Sequence, residues 1–529
     1  MIRIHQCKLS IDQPIQSLKD VILKKLKIKE HELLNYHIFK ESIDARDKHQ
    51  LYFNYCVDCE VVNESKILKK SMKDISLTPV LTYQFPICGN KELKNRPIVI
   101  GFGPAGMFAA LLLAQMGYQP IVFERGECVE KRLESVQNFW QNGVLNPASN
   151  VQFGEGGAGT FSDGKLTTRV KDLRSRKVLE EFVKFGAPEE ILYEAHPHIG
   201  TDLLQGIVRR IREEIIRLGG DIHFESMVDD FEIKEGKICS IHANGVWYPC
   251  EQVILAIGHS ARETFIKLYE KKVEMQAKAF AIGARVEHKQ SFIDKVQFKK
   301  FAGHPRLGAA EYRFVHKASN GRGVYTFCMC PGGTVVPSAS SINKVVVNGM
   351  SEHARNEENA NSALLVQVSP DDFGTHPLDG IKFQERLEEK AFEMGGKNYK
   401  APAQKIEDFL QNKVSDTRSE INPSYNIGVT YCNLHELFPK EITETLIEGI
   451  TAFDRMLPGF AQDALMTAVE TRSSSPVRIL RHEDTLSSLN VSGLYPCGEG
   501  AGYAGGIVSA GIDGLRCAEK IIQNYKKKA

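Results

Sequence analysis

The sequence has almost no net charge: 67 Lys and Arg stand against 66 Asp and Glu, a balance of +1 over 529 residues. So neutral a chain has no global field to draw it to nucleic acid or to an anionic membrane surface. Cysteine is sparse as well, since 12 in a chain this long are too dilute for a disulfide scaffold. The opening MIRIHQCKLSIDQ lacks the apolar core of a secretory signal, so a reducing, cytoplasmic setting is expected. Internal repeats and low-complexity tracts are missing too. A composition of 42% hydrophobic and 25% charged residues excludes disorder, collagen and coiled coil. The length allows about three domains.

One stretch imitates a membrane span. Ile98 to Phe123 is uncharged over 26 residues, but it is broken by Gly101, Gly103, Gly106 and Gly117, and by Pro104 and Pro120. That punctuation predicts a buried strand, turn, helix and second strand. No membrane association is expected.

Residues 1–92 read as a small α+β module, with alternating runs such as LNYHIFKESI and HQLYFNYCVDCEVV. Its basic cluster Lys24, Lys25, Lys27 and Lys29 reads as a solvated helix face, and no nucleic-acid partner is expected. CGNKELKNRP follows as a polar linker. From Arg96 the texture becomes buried strands alternating with helices, which predicts an α/β fold with a doubly wound, Rossmann-type sheet. Residues 93–275 are assigned to its first part and 481–529 to its return. Between them, 276–480 form an inserted α+β substrate domain.

GFGPAG sets Gly101, Gly103 and Gly106 in G-x-G-x-x-G spacing, after the strand RPIVI and before the helix MFAALLLAQMG. Gly101 permits the tight turn, and Gly103 admits a pyrophosphate against the backbone. Gly106 lets the helix pack closely, while Pro104 and Ala105 open that helix. Free N–H groups at the helix start then face the phosphates. QPIVFE is a second strand ending in Glu124, placed to accept from a ribose diol and to repel a 2′-phosphate. The ligand is therefore FAD or NAD rather than NADP.

Two signals separate these. The loop NVQFGEGGAGTFSDGKL, with Gly156, Gly157 and Ser162, offers a backbone cradle for a flat, phosphate-bearing ligand. At the far end, GLYPCGEGAGYAGGIVSAGIDG returns a strand to the sheet and starts a helix of small residues near Gly505, Gly506 and Ile507. A helix N-terminus suits the edge of an isoalloxazine, which gains negative charge on reduction. FAD is the expected cofactor.

On GFGPAG…FER, AIGH and LYPCGEGAGYAGGI, the chain resembles glutathione-reductase-superfamily flavoproteins. More narrowly it resembles the bacterial FAD-dependent dehydrogenase family. That likeness extends through SIDAR, NVQFGEGGAGTFSDGKLTTR, PHIGTD, GHSAR, TFCMCPGG, NGMSEHAR and RSSSPVRI, covering nearly the whole chain. The resemblance implies bound FAD and a redox activity. It implies pyrophosphate contacts at Gly101, Gly103 and Gly106, and a ribose contact at Glu124. Arg125 and Arg132 are implied at the adenosine or phosphate edge, and Val228 beside adenine. Ala256 and Gly258 end a crossing strand, and Gly498 and Glu499 lie at the ribityl or phosphate. A second G-x-G-x-x-G is missing, so no separate pyridine-nucleotide domain is expected.

Cys56 and Cys59 form a CxxC inside a predicted strand, where positions three apart face opposite sides, so they read as structural. Cys328 and Cys330 share one face of a predicted strand end and are candidates for chemistry, as are His259, Lys165 and Arg478. Arg472 and Arg478 in ETRSSSPVRI read either as a clamp for an anionic substrate or as ion-paired on the sheet, and His198 and His353 are further candidates. No metal site is expected. The expected activity is transfer of a hydride or two electrons between flavin and a small organic substrate, with NAD(P)H as a transient donor. A flavin monooxygenase is the alternative. So is a structural-FAD protein whose N-terminal module binds RNA or a protein partner.

Overall fold

A computed structural model of the chain describes residues 1–46, 50–70, 72–168, 170–415 and 419–527. The turn expected over ARDKH and the terminal KKKA fall partly outside them. The fold is mixed α/β. Five short strands lie side by side in the order Leu494–Pro496, Val253–Leu255, Ile98–Ile100, Ile121–Phe123 and Asp221–His223, and every adjacent pair is parallel. Strands of three residues hold little by themselves, so the flanking helices decide the architecture. In the helix Pro104–Gln115, every residue from Ala105 to Ala114 is buried. The helix Ile507–Asn524 packs against it through small residues; a methyl group at Gly514 would stand 2.0 Å from the Ala105 carbonyl oxygen. The uncharged run 98–123 is thus a strand, a helix and a strand. Among the described residues no helix is long and apolar enough to cross a membrane.

A seven-stranded sheet is built from Phe280–Lys289, Val315–Lys317, Gly323–Cys330, Asn359–Val368, Ala401–Lys405, Val429–Tyr431 and Leu465–Glu470. Side chains alternate across such a sheet, and here the two faces differ. Ile282, Val286, Leu364 and Val366 meet the helices Asp379–Met394 and Lys440–Met456 in an apolar core. The opposite face carries Arg285, Glu287, Asn361 and Thr467, all fully buried. A hairpin, Thr334–Pro337 with Val347–Met350, lies close to it; a methyl group at Gly349 would stand 2.1 Å from Arg285 Nη2.

The N-terminal four-stranded sheet is ordered Leu33–Asp44, Tyr52–Val61, Ile2–Ser10, Ile75–Leu77, with the helix Leu18–Leu26 packed on it. Phe298, Phe301 and Leu307 pack into its core. Arg306 donates to the Ile11 carbonyl (3.2 Å) and the Tyr55 hydroxyl (3.1 Å), with its guanidinium over the Phe53 ring. Cys56 and Cys59 are both buried in this sheet. The stretch expected as a polar linker is not free: Gly89 and Lys91 donate to the carbonyls of Ile522 and Asn524 at the end of the last helix.

Candidate functional site

The two glycine-rich loops form one body. Gly101, at φ +95°, donates to the Phe123 carbonyl, and the Phe102 carbonyl accepts from Gly156 N–H at 2.8 Å. Gly103 lies back to back with Gly157, where a side chain on either would meet the other's Cα. Glu124 binds them together. Its buried carboxylate accepts from the backbone N–H groups of Phe102 (2.8 Å), Gly126 (2.9 Å) and Gly154 (3.0 Å). A carboxylate has about four acceptor positions, so one remains for a ribose hydroxyl.

Arg132 corrects its assignment to the phosphate edge. It is fully buried, and its guanidinium is spent on the carbonyls of Asn150 (2.9 Å), Val151 (3.0 Å) and Glu155 (2.6 Å). It is the internal strut of the 150–155 segment. Ser162 is likewise internal, donating to the Gly159 carbonyl and accepting from Gly164 N–H. Arg125 behaves differently. It pairs with Glu263 and lies 3.9 Å over the Phe153 ring, while its Nε and Nη1 are buried with no partner. Two orphaned donors beside Glu124 fit an adenosine or phosphate group, because unsatisfied buried donors are costly. Val228, buried, starts the next sheet two residues after Ser226, whose N–H donates to the Glu124 carbonyl.

At the other end of the cradle, the Ala256 carbonyl closes against Gly101. Gly258, at φ +70°, has open space where a side chain would project. Gly498 N–H donates to Asp513 (2.8 Å), and Asp513 pairs through both oxygens with Arg481 (2.7 and 2.9 Å). That buried pair, unforeseen from the sequence, fixes the turn from the last strand into the last helix. Cys497, Asp513 and Cys517 stand within 4.8 Å of one another, but Arg481 already supplies their cation. Gly505 and Gly506 are exposed at the start of the 18-residue helix, with nothing within 4 Å of a side chain there. This open helix end, with the orphaned Arg125 donors, fits FAD.

His259 Nε2 lies 3.9 Å from Glu499 Oε1. Burial, with Arg472 and Arg262 nearby, pushes the imidazole down to about 3. So lowered, the imidazole is neutral at ordinary pH and suited to hydrogen bonding. Its Nδ1 is 3.1 Å from Ser260 Oγ, which donates to Gln152. Burial pushes Glu499 up to about 7, opposed by Gly506 N–H and Lys278.

Three other candidates change. Lys165 is tied to Asp163 (2.7 Å) and Glu311 (3.4 Å), which Arg355 also pairs, so it is not free to reach a flavin. Arg472 shares the fully buried Glu388 with Arg262. Cys328 and Cys330 do not share a face. A bulge falls between Phe327 and Cys330 with Cys328 at φ +42°, leaving Cys328 exposed and Cys330 buried beside Arg285. The extra residue of a bulge breaks the alternation that the prediction assumed. His198 and His353 stack on each other, each bonded to backbone carbonyl. Among the described residues Arg478 is paired with no acid.

Residues 279–473 match the family described as "FAD-dependent protein, C-terminal domain-like", and residues 1–60 a "Domain of unknown function (DUF8436)". A Clostridium beijerinckii protein described as uncharacterized is 50% identical over 528 residues, 99% of each chain. Looser likenesses reach glycine oxidase of Bacillus cereus (10% identity, 82% of this chain and 99% of that one, TM-score 0.32). They also reach FAD-complexed glycerol-3-phosphate dehydrogenase of Bacillus halodurans (11%, 83% and 67%, TM-score 0.34). These overlaps assign no reaction. With the match over 279–473 and half of its residues shared along the full length of the Clostridium relative, the chain belongs to the family of FAD-dependent proteins, and FAD is its cofactor.

Proposed function

We propose that the chain is an FAD-dependent oxidoreductase of the glutathione-reductase superfamily, moving a hydride or two electrons between flavin and an organic substrate. The observation that carries this reading is the open helix end at Gly505 and Gly506, beside the His259–Glu499 contact. In this layout 93–275 and 481–529 bind the cofactor and 276–480 hold the substrate, while 1–92 form a docked module, its sheet packed on Phe298, Phe301 and Leu307 and its last residues bonded to helix 507–524.

Bound here, FAD supplies reversible two-electron chemistry. The residues do the rest. The N–H groups of Gly103, Ala105 and Gly106, at the start of helix 104–115, would receive the pyrophosphate. Glu124 takes a ribose hydroxyl and Arg125 offers its two free donors. The N-terminus of helix 507–524 favours negative charge at the flavin edge. His259, held neutral, presents a ring nitrogen without adding a charge, and Glu499 keeps a proton up to about pH 7.

The test is the absorption spectrum of purified protein before and after dithionite and NAD(P)H, without oxygen. Flavin bands that bleach with both support a reductase using a nicotinamide donor. Bleaching followed by hydroxylated product in air would favour a monooxygenase instead. A colourless chain that cannot take up FAD would sink the reading.

A further inference from the structure

Buried or half-buried cations in this chain are almost all matched to acids. Arg262 and Arg472 share Glu388, Arg285 has Glu470, Arg355 has Asp163 and Glu311, and Arg481 has Asp513. Lys278 and Arg478 make no ion pair among the described residues; Arg132 and Arg306 make none either, but carbonyl and hydroxyl acceptors fill their guanidiniums, whereas the Nε of Arg478 is left without a partner. Lys278 and Arg478 lie on the two-stranded ladder Met275–Ala277 with Val477–Ile479 and at its end, where Arg478 pairs with Gln276 in register. Lys278 Nζ reaches only the carbonyls of Ala279 and Ser475, at 3.3 and 3.4 Å. Arg478 gives Nη2 to the Gly502 carbonyl at 3.2 Å, and its Nε is buried without a partner.

The pair is built against the cofactor turn. Gly502, at φ +86°, packs on the Lys278 stem and the backbone of Val477 and Arg478, not on the charged head groups; a methyl group there would stand 3.1 Å from the Val477 carbonyl oxygen and 3.2 Å from both Lys278 Cδ and Arg478 Cα. The charge of Lys278 is felt by Glu499 and His259, the two side chains that face each other at the open helix end. Burial, and after it Arg478, push the Lys278 ammonium down from its ordinary range, with Glu499 opposing them. Two cations held side by side repel, and an orphaned guanidinium N–H adds a desolvation cost. An oxyanion between them removes both penalties, and arginine is suited to carboxylate and phosphate.

We infer that Lys278 and Arg478 form an anion subsite beside the flavin cradle, one that takes a carboxylate or phosphate of the reacting partner. Its place beside flavin rests on the oxidoreductase reading; its ligand chemistry does not. The substrate or nucleotide donor would enter with its oxyanion on this pair and its reacting carbon toward the cofactor.

Sulfate titrated into the FAD-loaded full-length chain is the probe, followed by flavin absorbance. A saturable shift is expected. Lys278→Met and Arg478→Met each weaken it about tenfold, the scale of one charge-assisted contact, and Arg478→Lys recovers part of the loss. No response in the parent, or an equal response in the variants, overturns the inference. Acylation of Lys278 in the parent chain, mapped by mass spectrometry, needs neither variant nor flavin. Protection by sulfate upholds the subsite and lack of protection refutes it, even where a variant misfolds. A chain that cannot take up FAD, yet whose Lys278 sulfate still protects, condemns the oxidoreductase reading alone. Malonate and ADP as competitors then tell a substrate carboxylate from a nucleotide phosphate by which displaces sulfate at lower concentration.

Discussion

Glu124 accepts a hydrogen bond from the N–H of Gly154, 3.0 Å away, while its other oxygen holds Phe102 N–H at 2.8 Å. One carboxylate therefore sets the spacing between the two glycine loops. In Glu124→Gln one acceptor oxygen becomes a donor facing an N–H. We expect loss of about 2 kcal/mol in stability and FAD retention reduced more than tenfold. Denaturant unfolding and flavin content of the purified variant measure both.

Arg132→Met should damage the same loop from inside. Three carbonyls lose their buried partner at once, a cost on the order of 3 kcal/mol or more. The melting temperature falls and FAD is lost. Arg125→Met, by contrast, should lower FAD affinity with little change in melting temperature of the FAD-free chain.

Glycines separate packing from ligand contact. Gly514→Ala drives a methyl group against the Ala105 carbonyl and should cost about 1–3 kcal/mol by overpacking. A Cβ at position 505 meets nothing within 4 Å and the site is exposed, so the FAD-free Gly505→Val chain should melt close to the parent. Its flavin content should drop, because the new side chain fills the space that the cofactor's edge needs. Equal flavin content in Gly505→Val would move the cofactor away from this helix.

Glu499 gives a pH signature. Its carboxyl is raised from 4.5 to about 7 in the fold, so the folded state binds the proton more tightly. The stability it contributes is fully present below about pH 4.5 and is lost as pH rises through 7, up to about 3 kcal/mol. Glu499→Gln should lack this component, so the parent loses ground to the variant across that window in FAD-free melting curves.

Truncation should distinguish the N-terminal sheet from the segment that follows it. Tyr83 bonds Glu519, and Gly89 and Lys91 bond the end of the last helix. Removal of residues 1–78 spares these contacts, whereas removal of 1–92 strips them. We expect the shorter deletion to retain more FAD, and both to aggregate through uncovered Phe298, Phe301 and Leu307.

What could be read beforehand was what depends on local spacing. Gly101, Gly103 and Gly106 announce their turn because backbone geometry admits few other residues there, and the strand–helix–strand order follows from apolar runs. Partnerships across long separations were not legible. Arg132 looks like any arginine near a phosphate motif until its three carbonyls are seen, and Lys165 looks free until Asp163, Glu311 and Arg355 surround it. Asp513 and Arg481 carry no motif at all. Cys328 and Cys330 mislead because a one-residue bulge leaves no mark that periodicity can detect.

The contact between helices 104–115 and 507–524 also sets a timetable. Residues 116–506 must be made between them, which at about 5–20 residues per second takes tens of seconds on the ribosome. Throughout that interval an apolar helix waits without its cover. The cofactor cradle can close only when helix 507–524 has emerged, and a nascent fragment that lacks Gly505 and Gly506 presents a surface for chaperones instead.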